Sequence, residues 1–195
     1  MSCFTPGTLI ATPTGEWPVE TLAVGQKVLT RDHGVQVLRH VFQTRLDYAQ
    51  LVSRPHLRPV LLRTGGIGPA VPEKDMLLSP NHRVLVGAEK TVLDLEDHEA
   101  LVSAKHLVHN RHIRVVDMLA VTYILPVFER HQIVLANGLW VEAFNPADHS
   151  LNGLGNAQRN EIEELFPGLA ATLPQRRQTL VRSRLERMGL SFFAH

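Results

Sequence analysis

The sequence has 195 residues, 44% of them hydrophobic and 20% charged, a composition typical of a globular chain that buries a sizeable core. Its 20 basic and 19 acidic side chains leave a net charge of +1, so we expect neither nucleic acid nor an anionic membrane as a partner. No signal peptide opens the sequence and no apolar run approaches the roughly 20 residues that span a bilayer, so a cytoplasmic protein is the default expectation.

Residues 1–145 consist of short apolar stretches separated by glycine and proline, which is typical of strands and turns. Several stretches contain β-branched residues or alternate in polarity, as half-buried strands do. The predicted strands are Thr8–Thr12, Lys27–Thr30, Val35–Val41, Val60–Arg63, Met76–Leu78, Arg83–Val86, Ile113–Leu125 and Ile133–Val141. Asn137-Gly138 divides the last stretch and is a strong signal for a type I′ hairpin. The pattern predicts an all-β domain.

The composition changes after residue 145, and residues 146–195 are predicted to form a short α-helical C-terminal extension. Residues 152–156 resemble a linker. Asn160 suits the N-cap of a first helix, which Pro167-Gly168 ends. A second helix is predicted over Pro174–Met188, with one apolar stripe and a basic remaining surface.

Cys3 is the single cysteine, which excludes an intramolecular disulfide and a cysteine-rich zinc site. The eleven histidines are scattered, without the spacing of a metal-binding motif. We therefore predict no metal ion and no cofactor.

Three segments, in this order along the chain, resemble the blocks of Hint domains, the self-processing modules of inteins and of hedgehog C-terminal domains. The first segment is CFTPGTLIATPTG, which begins at Cys3. The second is LLSPNHRVLV over residues 77–86, similar to the family's Thr-x-x-His block with Ser79 in place of threonine. The third covers residues 123–143. The style of these segments most resembles the bacterial Hint subgroup.

The resemblance implies a Hint-type fold of many short strands and an autocatalytic N-to-S acyl shift. The Cys3 thiolate would attack the carbonyl of Ser2 and form a thioester, which hydrolysis or transfer would then resolve. His82 would protonate the leaving nitrogen, since a histidine pKa lies near working pH. Ser79 would hold the scissile peptide or the imidazole, and His131 would act as a base or polarise the carbonyl.

The partners implied are an upstream polypeptide segment and either water or a small nucleophile. Only Met1 and Ser2 precede Cys3, so we expect that the upstream segment is absent or trimmed in this sequence. Such a domain, if active, would act once on its own chain. Asp47 and Asp75 are further candidate bases, as in the hedgehog branch.

Two departures from the family pattern argue against full splicing. Glu142-Ala143 stands where inteins carry His-Asn, and Ile124 stands where a catalytic aspartate is common. Two other functions stay open at this point. One is a catalytically silent Hint-fold module that binds a partner through its basic helical tail. The other is a cysteine hydrolase that acts on an external substrate.

Overall fold

The computed structural model describes residues 2–87, 99–109, 111–144, 161, 163–167 and 169. Within these ranges the strands are β1 (Leu9–Thr12), β2 (Gly15–Pro18), β3 (Lys27–Thr30), β4 (Gly34–Val37), β5 (His40–Asp47), β6 (Val60–Leu62), β7 (Met76–Leu78), β8 (Arg83–Val86), β9 (Ala100–Ser103), β10 (Ile113–Val115), β11 (Ala120–Val127), β12 (Gln132–Ala136) and β13 (Leu139–Ala143). The α-helix α1 covers Tyr48–Ser53, and short 3-10 turns cover Val19–Thr21, Pro55–Leu57 and Ala104–Leu107.

The predicted all-β architecture is confirmed. Three predicted strands have the bounds of β3, β7 and β8. Two longer predicted strands are each divided in the structure: Val35–Val41 falls on β4 and the start of β5, and Ile113–Leu125 falls on β10 and β11. The structure adds β2 and β9, which the apolar pattern did not predict.

The strands form three antiparallel sheets. The largest has the order β2-β1-β12-β13-β8-β9, and β3 adds to it by pairing with both β12 and β4. A second sheet has the order β10-β6-β7, and β11 pairs with β5 in the third. Strand β12 thus contacts β1, β3 and β13, which brings the N-terminal strands beside the last hairpin.

Phe4 joins two of these sheets. Its backbone forms antiparallel bridges to Leu78 at the end of β7 and to Ile124 in β11. The Phe4 N–H donates to the Ile124 carbonyl at 2.8 Å, and the Ile124 N–H donates to the Phe4 carbonyl at the same distance. The segment that carries Cys3 is therefore held within the fold.

The buried apolar residues form two clusters, which we call the main core and the second core. Among the fully buried members of the main core are Phe4, Leu38, Leu62, Leu78, Val84 and Val141. The second core contains Cys3, Leu46, Leu51, Leu57, Val121, Tyr123, Leu125, Val127, Phe144, Leu165, Phe166 and Leu169. Successive residues of an extended chain point to opposite faces, so Cys3 and Phe4 enter different cores.

Part of the predicted C-terminal extension contributes to the second core. Glu161 and residues 163–165 are helical, in the place where the sequence predicts the first helix. Asn160, the linker at 152–156 and the predicted helix Pro174–Met188 lie outside the described residues. No helix in the described part of the chain has the length and apolar character needed to cross a bilayer.

The predicted Asn137-Gly138 turn connects β12 and β13. Both residues have positive φ, 46° and 74°, as a type I′ turn requires. The Asn137 side chain also accepts the Leu9 N–H at 2.8 Å, and the Leu9 carbonyl accepts the Asn137 N–H at 3.0 Å. One turn residue therefore ties the last hairpin to β1.

We expect Asn137→Ala to lower the free energy of unfolding by about 2 kcal/mol, since alanine lacks the acceptor and is strained at positive φ. Asn137→Gly removes the same acceptor without that strain and is expected to cost about 1 kcal/mol. Urea unfolding of both variants tests this order. Equal losses would show that the backbone conformation at 137 contributes nothing.

Candidate active site

Cys3 is fully buried, and its backbone is paired with Ser79. The Ser79 N–H donates to the Cys3 carbonyl, and the Cys3 N–H donates to Ser79 Oγ, both at 3.1 Å. These bonds continue the bridge between Phe4 and Leu78 by one residue. The peptide nitrogen that would leave in a cleavage before Cys3 is therefore in direct contact with the Ser79 hydroxyl.

The Ser79 side chain also affects the pKa of the Cys3 thiol. Burial raises the pKa of this thiol well above its usual range, and the charge of Glu161 raises it further, whereas a hydrogen bond from the Ser79 side chain lowers it. The thiol is thus protonated at neutral pH. The side chain that accepts the Cys3 N–H thus also lowers the pKa of the Cys3 thiol.

His82 lies on the carbonyl side of Cys3. The sequence Ser79-Pro80-Asn81-His82 forms a β-turn, closed by the His82 N–H on the Ser79 carbonyl at 2.9 Å. His82 Nδ1 is 3.0 Å from the Cys3 carbonyl oxygen, and Nε2 is 2.8 Å from the Glu142 carbonyl oxygen. The imidazole ring also meets Phe4 edge-on, with ring centroids 4.6 Å apart.

The surroundings of His82 shift its pKa in opposite directions. Burial lowers the pKa of His82 to about 4, against the hydrogen bond to the Cys3 carbonyl and the nearby Glu142 charge, which both raise it. A neutral imidazole has one N–H, so it can donate to only one of the two facing carbonyls. Uptake of a proton would let it donate to both.

Glu142 is the buried centre of an ionic cluster whose other members, Arg83 and His131, have side chains that are 35% and 34% exposed. Arg83 Nε donates to Glu142 Oε2 at 2.7 Å, the Arg83 Nη2 bonds Oε1, and His131 Nε2 lies 2.9 Å from Oε1. Burial alone would raise the pKa of Glu142, but the hydrogen bonds and charges of His131 and Arg83 outweigh it and hold this pKa at about 2. The carboxylate is therefore ionised at neutral pH.

Strand register explains why these three side chains meet. Val141 pairs with Val84 in the β13–β8 ladder, which sets Glu142 beside Arg83. Ile133 pairs with Glu142 in the last hairpin, so His131, just before β12, reaches the same carboxylate. His131 thus belongs to the site through its contact with the Glu142 carboxylate.

The residue before Cys3 belongs to the same cluster. Ser2 is 5% exposed, and its hydroxyl donates to Glu142 Oε2 at 3.1 Å. The two residues that flank the bond before Cys3 therefore each have a polar side-chain partner: Glu142 for Ser2, and Ser79 for the Cys3 nitrogen.

The C-terminal extension covers the thiol side of Cys3. Leu165, Phe166 and Leu169 share the second core with Cys3. Glu161, 2% exposed, accepts a hydrogen bond from Asn81 Nδ2 at 2.5 Å. The extension thus contacts the turn between Ser79 and His82 as well as the core around the thiol.

The other two candidate bases have local structural partners. Asp47 is the N-cap of α1: its carboxylate accepts the Gln50 N–H at 2.8 Å, and the Gln50 side chain accepts the Asp47 N–H at 2.9 Å. Asp75 accepts the Thr64 N–H at 2.8 Å. Both aspartates are exposed, whereas Cys3 is fully buried.

These observations describe an all-β domain whose N-terminal cysteine is buried beside a Ser-x-x-His turn, an arrangement that fits a self-processing domain. The family model described as the Hint domain matches residues 2–148. The chain therefore belongs to the Hint domain family, whose members are self-processing domains as a class. No curated protein matches the sequence.

Several solved structures are similar to this chain. The bacterial intein-like domain from Clostridium thermocellum is 14% identical, with a TM-score of 0.45 over 74% of this chain and 99% of that domain. The MchDnaB-1 intein is 13% identical, with a TM-score of 0.43 over 72% of this chain and 99% of that intein. The gp41-1 intein is 13% identical, with a TM-score of 0.41 over 71% of this chain and 96% of that intein.

Three polar residues of this site were not predicted from the sequence. Glu142 was noted there only as the loss of a splicing residue, and Arg83 and Glu161 had no predicted role in the site. An acidic residue inside the apolar stretch of β13 was the available signal for Glu142, because a charge in a buried strand needs a partner. Glu161 carried no such signal, since an acidic first helical turn is common on protein surfaces.

We expect the buried neutral His82 to make the fold acid-sensitive. In the folded protein the pKa of His82 is about 4, below the usual 6.5. Between pH 6.5 and pH 4 only the unfolded chain therefore binds a proton at this residue. The stability that is present above pH 6.5 is lost as the pH falls toward 4. Urea unfolding should show a loss of about 2 kcal/mol between pH 7 and pH 5 from this residue.

His82→Gln should be less stable at pH 7 but should lack this part of the pH dependence. His106→Gln, a substitution at an exposed histidine, should keep it. An unchanged pH dependence in His82→Gln would show that another group causes the loss.

We also expect the C-terminal segment to protect the thiol. Iodoacetamide should label native Cys3 slowly, and Phe166→Ala should accelerate labelling at least tenfold, because it opens the second core beside the thiol. Mass spectrometry measures this rate without ambiguity, since Cys3 is the single cysteine. Phe128→Ala removes a buried ring from the main core and is the matched control, since Phe128 is 2% exposed and Phe166 is 7% exposed. Equal acceleration in both variants would point to global unfolding instead.

Proposed function

We propose that this Hint domain cleaves the peptide bond before Cys3 by an N-to-S acyl shift, and that it does not splice. The contact that carries this proposal is the Cys3 N–H on Ser79 Oγ at 3.1 Å. The shift moves one proton from the Cys3 thiol to that nitrogen. The Ser79 side chain contacts the nitrogen and also lowers the pKa of the thiol, so it is the group best placed to carry the proton.

The proposed step balances without an outside proton. Cys3 Sγ bonds to the carbonyl carbon of Ser2 and gives its proton to the Ser79 oxygen. Attack makes the Cys3 nitrogen tetrahedral, and the Ser79 hydroxyl, which accepts that nitrogen's N–H in the structure, then donates its own proton to the new lone pair as the C–N bond breaks. The products are a Ser2 thioester on Sγ and a free Cys3 amine. Protonation of the nitrogen is essential, because an amide nitrogen is a very poor leaving group.

His82 supports this step from the other side of Cys3. Its Nδ1 contact with the Cys3 carbonyl, together with the Ser79 N–H on the same oxygen, fixes the Cys3 backbone while the thiol attacks. The direct protonation of the nitrogen by His82 stays a prediction, as does the role of His131 as a base. His131 contributes by holding Glu142 ionised.

Two observations support cleavage without splicing. The Glu142 carboxylate is bound by Arg83 and His131, and Ala143 has no side-chain amide that could cyclise. The thioester would therefore be resolved by water or by another small nucleophile. Because apolar residues of the second core surround Cys3, the acceptor reaches the thioester only where this cover opens. The upstream polypeptide is the product released.

The test fuses a reporter protein ahead of Met1 of the full chain and follows its release with and without dithiothreitol. Release is expected to be faster with the thiol, which intercepts the thioester. Cys3→Ala should abolish release. Ser79→Ala should slow it about 10²-fold or more, the range of general acid–base assistance. His82→Ala should slow it about 10²-fold, because the Cys3 backbone loses one of the contacts that position it.

His106→Ala, at an exposed histidine, is the matched control and should release the reporter at the normal rate. Folding of every variant is checked by circular dichroism. A folded fusion that stays intact would contradict the proposal and would favour a catalytically silent binding module. Release that persists in Cys3→Ala would contradict the acyl shift.

A further inference from the structure

We propose that Glu142 selects the residue before the cleaved bond, and that this domain prefers a serine at that position. The inference rests on the proposed cleavage, because the selected residue is the one whose carbonyl becomes the thioester. It adds to that function a binding site for a side chain of the upstream segment. The site accepts a small residue that can donate a hydrogen bond.

The contact itself is enclosed. Ser2 is 5% exposed, and Glu142 is 6% exposed, so their hydrogen bond of 3.1 Å lies away from solvent. Arg83 bonds both carboxylate oxygens, and His131 bonds Oε1. Glu142 is thus held in one orientation by groups from β8 and from the start of the last hairpin. A residue at position 2 meets a carboxylate whose position is already fixed.

The chemistry of this pocket favours a hydroxyl. An ionised carboxylate only accepts hydrogen bonds, so a hydrogen-bond donor at position 2 is favoured. Alanine fits the space but leaves a buried carboxylate without that donor. Aspartate would place a second negative charge against Glu142 at close range, which is costly away from water. Valine brings extra apolar volume against a charged group and offers no donor.

The contact also matters for the geometry of attack. The scissile peptide is held on one side by Glu142, through the Ser2 side chain, and on the other by Ser79, at the Cys3 nitrogen. Two anchors that flank one peptide restrict the rotation of its carbonyl relative to the thiol. Loss of the first anchor is therefore expected to slow the attack of the thiol on the carbonyl.

The experiment uses the reporter fusion of the full chain and varies only residue 2. Ser2→Ala should slow the thiol-induced release about tenfold, the effect of one lost hydrogen bond to a charged group. Ser2→Asp should slow it about 100-fold or more. Ser2→Thr keeps the hydroxyl and should stay within about threefold. Ser53→Ala, at an exposed serine of α1, is the matched control and should leave the rate unchanged.

A double-mutant cycle assigns the preference to Glu142. In the Glu142→Gln background, which keeps the shape but removes the charge, the penalty of Ser2→Asp should shrink by at least tenfold. Circular dichroism confirms that the variants are folded. If Glu142→Gln fails to fold, Arg83→Met in the same cycle replaces it, since the loss of Arg83 should make the penalty of Ser2→Asp larger.

Each outcome decides the inference. Equal release with serine, alanine and aspartate would overturn the preference while leaving the cleavage intact. A preference that is unchanged in the Glu142→Gln and Arg83→Met backgrounds would overturn the role of Glu142. No release with any residue at position 2 would overturn the proposed function, and the preference with it.

Discussion

The paired hydrogen bonds between Phe4 and Ile124 are the constraint on which the rest of the site depends. These two bonds, each 2.8 Å long, fix a short N-terminal segment between β7 and β11. Because side chains alternate along an extended chain, fixing Phe4 in the main core also turns Cys3 into the second core. The same placement brings the Cys3 backbone to Ser79. The position of the nucleophile is thus set by backbone pairing.

Two buried titratable groups lie near Cys3, and at neutral pH one is neutral and the other is charged. His82 is neutral because burial dominates, whereas Glu142 is ionised because Arg83 and His131 outweigh its burial. The Glu142 carbonyl and the Cys3 carbonyl compete for the His82 imidazole, so its one proton leaves one contact unsatisfied. A site built this way responds strongly to the gain of a single proton.

The sequence predicted the parts of this molecule that local chemistry determines. The Asn137-Gly138 turn follows from its need for positive φ, and β3, β7 and β8 follow from compact apolar stretches. Strand β5 was not predicted as a separate strand, because all but one of its residues are half-buried or exposed and its apolar pattern is weak. The Glu142 cluster was missed for a different reason. Its partner Arg83 is 59 positions away, and only the register of β13 against β8 brings the two together.

The described site joins residues that are far apart in the sequence. Ser2 contacts Glu142 across 140 positions, and Asn81 contacts Glu161 across 80. During synthesis, residue 161 has to leave the ribosome before it can take its place. Until then Cys3 lacks the nearby charge of Glu161 and the part of its apolar cover that Leu165, Phe166 and Leu169 supply. Any chemistry at Cys3 that needs these surroundings therefore has to wait until the chain has been translated beyond residue 161 and has folded.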